Sequence, residues 1–98
     1  MNTNGSRGWG FLTSHARVLV AIAHDPGMRL RDISDRVGIT ERAAHRIVVE
    51  LDAAGYITRT RNGRRNNYTI QADLPLPDAI DSGQSVGDLL AVLVTPPS

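Results

Sequence analysis

Cysteine is absent from this 98-residue chain, which excludes disulfides and thiolate metal sites. Lysine is absent too, so all 11 basic side chains are arginines. Arginine makes forked, bidentate hydrogen bonds to phosphate or guanine, although an all-arginine set also follows from a GC-rich genome. Long apolar runs are missing, and the longest, Val18–Ala23, is far too short to span a bilayer. The opening residues, Met1-Asn2-Thr3-Asn4-Gly5-Ser6, lack the basic-then-apolar order of a secretory signal. The expected location is therefore the cytoplasm, with no membrane anchor. Catalytic constellations are equally scarce. His15, His24 and His45 have no short metal-ligand spacing. No Ser-His-Asp order, glycine-rich phosphate loop or paired-carboxylate signature occurs. The reading is of a protein that is not an enzyme and needs no metal or cofactor.

What is present is ordinary in amount and uneven in distribution. Ninety-eight residues make one domain, with a core that removes about two-thirds of the unfolded surface from water. Hydrophobic residues at 41% and charged ones at 21% suit a soluble globular chain. The net charge of +1 hides a division. Residues 1–71 carry all 11 arginines against 6 acids, a net of +5, and residues 72–98 carry 4 aspartates and no arginine, a net of −4. Charge asymmetry of this kind is a hint of nucleic-acid contact.

Periodicity predicts three helices and a hairpin. Residues 1–10 are polar and glycine-rich and read as a flexible tail. Thr13 or Ser14 can cap a helix that runs to about His24, with Val18, Leu19 and Ile22 on one face. Asp25-Pro26-Gly27 stops it, and Met28-Arg29-Leu30 reads as a short extended link with Leu30 pointing inward. A second helix from about Arg31 to Val37 buries Ile33 and Val37 and ends at Gly38. Thr40 caps a third, to Ala54, with Gly55 in the left-handed position beyond it. Ala44, Ile47, Val48 and Leu51 form its inward stripe. Tyr56–Arg61 then reads as a strand, Asn62-Gly63 as a hairpin turn and Asn67–Ile70 as the returning strand. A two-residue turn there sets Arg61 opposite Arg64 and Ile57 opposite Tyr68; a longer loop containing the glycine stays open. Leu74-Pro75-Leu76-Pro77 reads as linker, within 72–84. Ser85-Val86-Gly87-Asp88 resembles a capping box opening a fourth helix within 85–98.

The segment Leu30–Ile57, LRDISDRVGITERAAHRIVVELDAAGYI, is similar to the DNA-binding segment of bacterial winged-helix regulators such as the MarR and ArsR families. Ile33-Ser34, Gly38-Ile39, Ile47, Leu51 and Gly55-Tyr56-Ile57 carry the likeness. Arg61–Tyr68, RNGRRNNY, resembles an arginine-tipped wing with an inward tyrosine. The likeness covers roughly residues 13–71. It implies an α+β, mostly α fold: a winged helix-turn-helix over residues 11–71, here with an additional C-terminal helix. The physics agrees. The second helix of the pair must cross the first steeply to protrude into the major groove. Gly38 permits the turn, and the small Ser34 allows close helix approach.

The candidate DNA-reading residues are Arg42, His45 and Arg46, which with Val49 form the stripe opposite the apolar one, and Thr40 and Glu41 at the leading end of the third helix. Arg42 and Arg46 lie four apart and repel slightly unless an anion joins them, and either can read guanine. Arg46 can alternatively pair with Glu50. The wing and flank add Arg59, Arg61, Arg64, Arg65, Asn66 and Arg31 as backbone or minor-groove contacts. Glu41, Glu50 and Asp52 keep the third helix from being net positive, so the wing and Arg29, Arg31 and Arg36 must supply much of the affinity. Solvated surfaces on helix and hairpin are the plainer alternative. One winged helix touches few base pairs, so a homodimer is expected, with Val86, Leu89, Leu90 and Leu93 as its contact together with Trp9 and the first helix; folding back onto their own domain is the alternative. Trp9 and Phe11 are expected to pack on the fourth helix or the domain's flank. The functional expectation is a sequence-specific regulator of transcription acting on double-stranded DNA, as a repressor, with no effector assigned. A module that docks an acidic protein without touching DNA is the competing reading.

Overall fold

The computed structural model describes residues 11–63, 65–76 and 83–94, with Asn62 and Arg65 described by their backbone. The tail at 1–10, Trp9, Arg64 and the stretches 77–82 and 95–98 lie outside the described residues.

Helix α1 (Ser14–His24) starts where Thr13 accepts a hydrogen bond from Ala16 N at 3.1 Å, relieving one of the orphan amides of a helix start. Its buried face is Val18, Leu19, Ala21 and Ile22. Asp25 closes it, accepting from Gly27 N through Oδ1 at 3.1 Å and from Met28 N through its carbonyl at 3.0 Å. Helix α2 (Leu30–Val37) then begins one residue earlier than its periodicity suggests. The extended link expected at Met28–Leu30 is accordingly shorter: Leu30 already turns, and no strand forms there. Arg29 stands at the N-cap and pairs its Nε with Asp32 Oδ2 at 3.2 Å, an acid placed in the first turn where a helix favours it.

The turn between α2 and helix α3 (Glu41–Ala53) depends on Gly38. Its φ of +82° is left-handed, and it lets both Gly38 N and Ile39 N donate to Ser34 O, at 2.8 and 3.1 Å. A side chain with a β-carbon costs about 1–2 kcal/mol in that conformation. Ser34 itself is buried at 3% exposure, and its hydroxyl donates to Arg31 O at 2.7 Å, so the polar group in this tight crossing is satisfied. Thr40 starts α3 by accepting from Ala43 N at 3.0 Å. Its end is a Schellman motif: Tyr56 N donates to Leu51 O at 2.9 Å and Gly55 N to Asp52 O at 3.0 Å, with Gly55 at φ +86°.

Strands β1 (Ile57–Asn62) and β2 (Arg65–Ile70) make a two-stranded antiparallel hairpin. Its register corrects the expected one. Ile57 pairs with Ile70, Arg59 with Tyr68, Arg61 with Asn66 and Asn62 with Arg65. Asn62 therefore remains in the strand, and Gly63, at φ +66°, opens the turn. Two causes favour this. A turn on Asn62-Gly63 would push Asn62 into positive φ, which glycine tolerates better. The observed ladder also sets Ile70 across from Ile57, and Gln71 N adds a bond to Tyr56 O at 2.8 Å. Because the two registers differ by two residues, every side chain keeps its face, and Ile57 (1% exposed) and Tyr68 (5%) are buried in either.

The core gathers Ile22, Ile33, Ile47, Val18 and Val86 of the helices and Ile57 of β1 as its most enclosed side chains. Tyr68 N donates to Pro26 O at 3.0 Å, fastening the hairpin to the corner between α1 and α2. The last helix, α4 (Val86–Leu93), opens with the capping box read from sequence. Ser85 Oγ accepts from Asp88 N at 3.1 Å, and Asp88 Oδ2 accepts from Ser85 N at 2.9 Å. Residues before it are stitched down rather than loose: Leu76 N donates to Gln84 O, Val86 N to Leu74 O and Gly87 N to Ala72 O, each at 2.9 Å. Val86 (2% exposed) and Leu90 (9%) enter this chain's own core. Those two, expected in a dimer contact, are corrected to intramolecular packing, because α4 lies against α1. Leu89 and Leu93 are half-buried and Val92 is exposed. The whole is an α+β, mostly helical winged helix with a C-terminal helix. No helix among the described residues is long and apolar enough to cross a membrane.

Candidate nucleic-acid interface

Helix α3 has two dissimilar sides because its apolar residues recur at helical spacing. Ala44, Ile47, Val48 and Leu51 are buried, which turns Arg42, His45, Arg46 and Val49 outward. Val49 is 46% exposed, too open for a core residue and well placed as an apolar contact on an otherwise polar face. Thr40 and Glu41 stand exposed at the leading end, Thr40 occupied as the cap and Glu41 in the first turn. Arg42 enters no ion pair among the described residues. Arg46 does: its Nη1 lies 3.4 Å from both oxygens of Glu50. The i, i+4 pairing visible in the sequence is therefore made.

Glu50 has a second partner that spacing could not reveal. His15 on α1, 35 residues away, donates from Nε2 to Glu50 Oε1 at 2.6 Å. That hydrogen bond, opposed by desolvation and helped by the Arg46 charge, holds the Glu50 carboxyl below its ordinary 4.5. His15 was legible only as a surface or boundary side chain. A contact between two helices at non-repeating separation leaves no periodic trace in a single sequence.

On the hairpin, Arg59 and Arg61 are exposed and share a face with Asn66, which is half-buried, and with Tyr68 nearer the core. Arg61 Nε donates to Gly63 O at 3.3 Å, so its guanidinium bends toward the turn. The expected Arg61–Arg64 opposition is corrected with the register: Arg61 faces Asn66, and no arginine faces another across the ladder. Like-charge strain therefore gives no reason for an anion at the tip. The absence of any acid from Ile57 to Gln71 remains. At the flank, Arg31 stands exposed on the first turn of α2, whereas Arg29 is tied to Asp32. Arg36 lines a cleft between α1 and α2 with Arg17 and His24.

Among the described residues neither surface is covered from within. Among the described elements α4 touches α1 alone, leaving the polar side of α3 and the hairpin open. Between α1, the end of α3 and the start of α4 lies a groove of 560 Å³, mostly apolar, whose walls include Leu19, Leu51, Tyr56 and Leu89 and whose edge carries His15 and Glu50. Phe11, expected on the domain's flank, lines that groove at 87% exposure. No three His, Asp or Glu side chains converge among the described residues.

Comparison with curated proteins finds no match. The sequence model of the MarR family matches residues 9–65, from just before α1 to the start of β2 and so through the whole helix-turn-helix and most of the hairpin. With more than half of the chain inside that match, and with three helices, a hairpin and an outward polar face on the third helix all in place, the chain belongs to the MarR family and has the winged-helix domain of DNA-binding transcription regulators.

Proposed function

We propose that this protein is a sequence-specific, double-stranded DNA-binding repressor of transcription, with α3 in the major groove and the hairpin along the phosphate backbone or minor groove. The observation that carries the reading is the pairing of an outward guanidinium, Arg42, on a helix anchored by its opposite face, with exposed Arg59 and Arg61 on an acid-free hairpin that follows three residues after that helix. Thr40, Glu41, Arg42, His45 and Arg46 would meet base edges and phosphates at the helix, and Arg59, Arg61, Arg64, Arg65, Asn66 and Arg31 would meet the backbone. Phosphate contacts fix position and base contacts fix sequence, so the two sets have different jobs. The working location is the cytoplasm of a bacterial cell, and the working assembly is a homodimer. With Val86 and Leu90 committed to their own core, its contact would use Leu89, Leu93 and the exposed Val92, beside the groove and α1.

The test is a titration of labelled duplex at two salt concentrations, followed by selection of bound sequences from a random pool. Affinity that falls steeply with salt, and a palindromic selected sequence, are expected. No binding to any duplex at low salt would overturn the reading. It would favour docking of an acidic protein, whose carboxylates the exposed Arg42, Arg59 and Arg61 would meet in place of phosphates.

A further inference from the structure

Glu50 is the meeting point of two helices and of two cations. Its Oε1 takes the short bond from His15 of α1, and both its oxygens lie at 3.4 Å from Arg46 of α3. The two contacts differ in grip. At 2.6 Å the His15 bond is short even for a charge-assisted hydrogen bond. The Arg46 contact is long and exposed, and it runs from base to acid along the helix, the less favoured order. A weak pair of this sort gives way readily to a phosphate or guanine, whose binding is helped by counterion release.

We propose that Glu50 is a positioning residue that holds the Arg46 guanidinium back from DNA until the duplex takes its place, and that His15, by gripping the same carboxylate, sets how firmly Arg46 is held. This rests on the DNA-binding reading above. When His15 carries a proton, its charge offsets that of Glu50, the carboxylate attracts Arg46 less, and Arg46 is released to the polyanion. When His15 is neutral, Glu50 keeps Arg46. The linkage is reciprocal: a duplex that draws Arg46 away leaves Glu50 to the imidazole, so binding takes up protons.

Other ionisable groups near this site act differently. Tyr56, on the same groove, directs its hydroxyl to Pro75 O at 3.5 Å. Asp88 on α4 is held by its capping box. Arg17 and His24 of α1 line the separate cleft with Arg36. Asp52 is two residues beyond Glu50 and so turned to another side of α3. His45 lies on the proposed DNA face itself, so its own substitution serves as the control.

The experiment measures binding of a random-sequence fluorescent duplex by wild type, Glu50→Gln, Asp52→Asn, His15→Gln and His45→Gln, from about pH 8 to about pH 6, the interval in which imidazoles gain protons. At the upper pH Glu50→Gln should bind about two- to fivefold more tightly than wild type, and Asp52→Asn, which removes the same charge without touching Arg46, should gain clearly less. Wild type should close that gap as pH falls. His15→Gln should not, although it keeps the part due to His45, and His45→Gln should show the remainder. Calorimetry in two buffers of different ionisation enthalpy should find proton uptake reduced in both His15→Gln and Glu50→Gln. Equal gains for Asp52→Asn and Glu50→Gln, or the same pH profile for His15→Gln and wild type, would overturn the proposal while leaving DNA binding intact. Absence of binding by every variant would overturn both.

Discussion

Arg42 and Arg46 are chemically identical, share one face and lie one turn apart, yet their surroundings make them unlike. Arg42 has no acidic partner among the described residues, whereas Arg46 shares Glu50 with His15. Arg42→Ala should therefore act chiefly on base choice, relaxing preference at one position of the selected sequence by about 1–3 kcal/mol; selection from a random pool with the variant would show whether a guanine preference disappears. Glu50 also affects stability. Its carboxyl is held low by the His15 hydrogen bond first and the Arg46 charge next. A group depressed in the folded state lends stability above its unfolded value and loses it as pH drops through the folded one. Glu50→Gln should accordingly flatten the fall in stability below about pH 4.5, as measured by urea unfolding at a series of acidic pH values. The outward set on α3 was legible in the sequence, since burial of Ala44, Ile47, Val48 and Leu51 dictates it. The tie from His15 was not, because tertiary contacts between helices are set by their crossing and not by spacing along either.

At the scale of elements, helices were read to within a residue because their ends carry local chemistry. Thr13, Thr40 and Ser85 cap, and Gly38 and Gly55 turn left-handed just past α2 and α3. The hairpin register was not, because pairings two residues apart put the same side chains inward and differ only in the turn. Arg59 and Arg61 should contribute mainly through phosphates. Arg59→Ala and Arg61→Ala should each weaken binding about equally for all sequences and reduce the slope of log affinity against log salt by about one, read from titrations at several salt concentrations. For α4 the apolar stripe was plain, but its destination was not: one stripe serves a partner or its own domain equally well. Leu90 is 9% exposed within a single chain, so Leu90→Ala should cost about 2–5 kcal/mol while leaving self-association in sedimentation unchanged. Weakened self-association of the folded variant would instead mean that a second chain completes this core.

For the whole molecule, the balance of charge matters more than its total. Residues 1–71 and 72–98 carry opposite net charge, and such a division would orient approach to a polyanion. A homodimer, the proposed assembly, would bring two α3 helices to one duplex. Sedimentation of the protein alone and with a duplex carrying the selected palindrome should give two protomers per duplex; one protomer on a non-palindromic site would count against the assembly. The ladder of the hairpin has a broader consequence. Ile57 and Tyr68 stay inside whether the strands pair as observed or two residues over. Insertions or deletions that come in twos can thus lengthen, shorten or re-aim the finger while its roots in the interior stay unchanged, so the part proposed to meet DNA is free to diversify without putting the fold at risk.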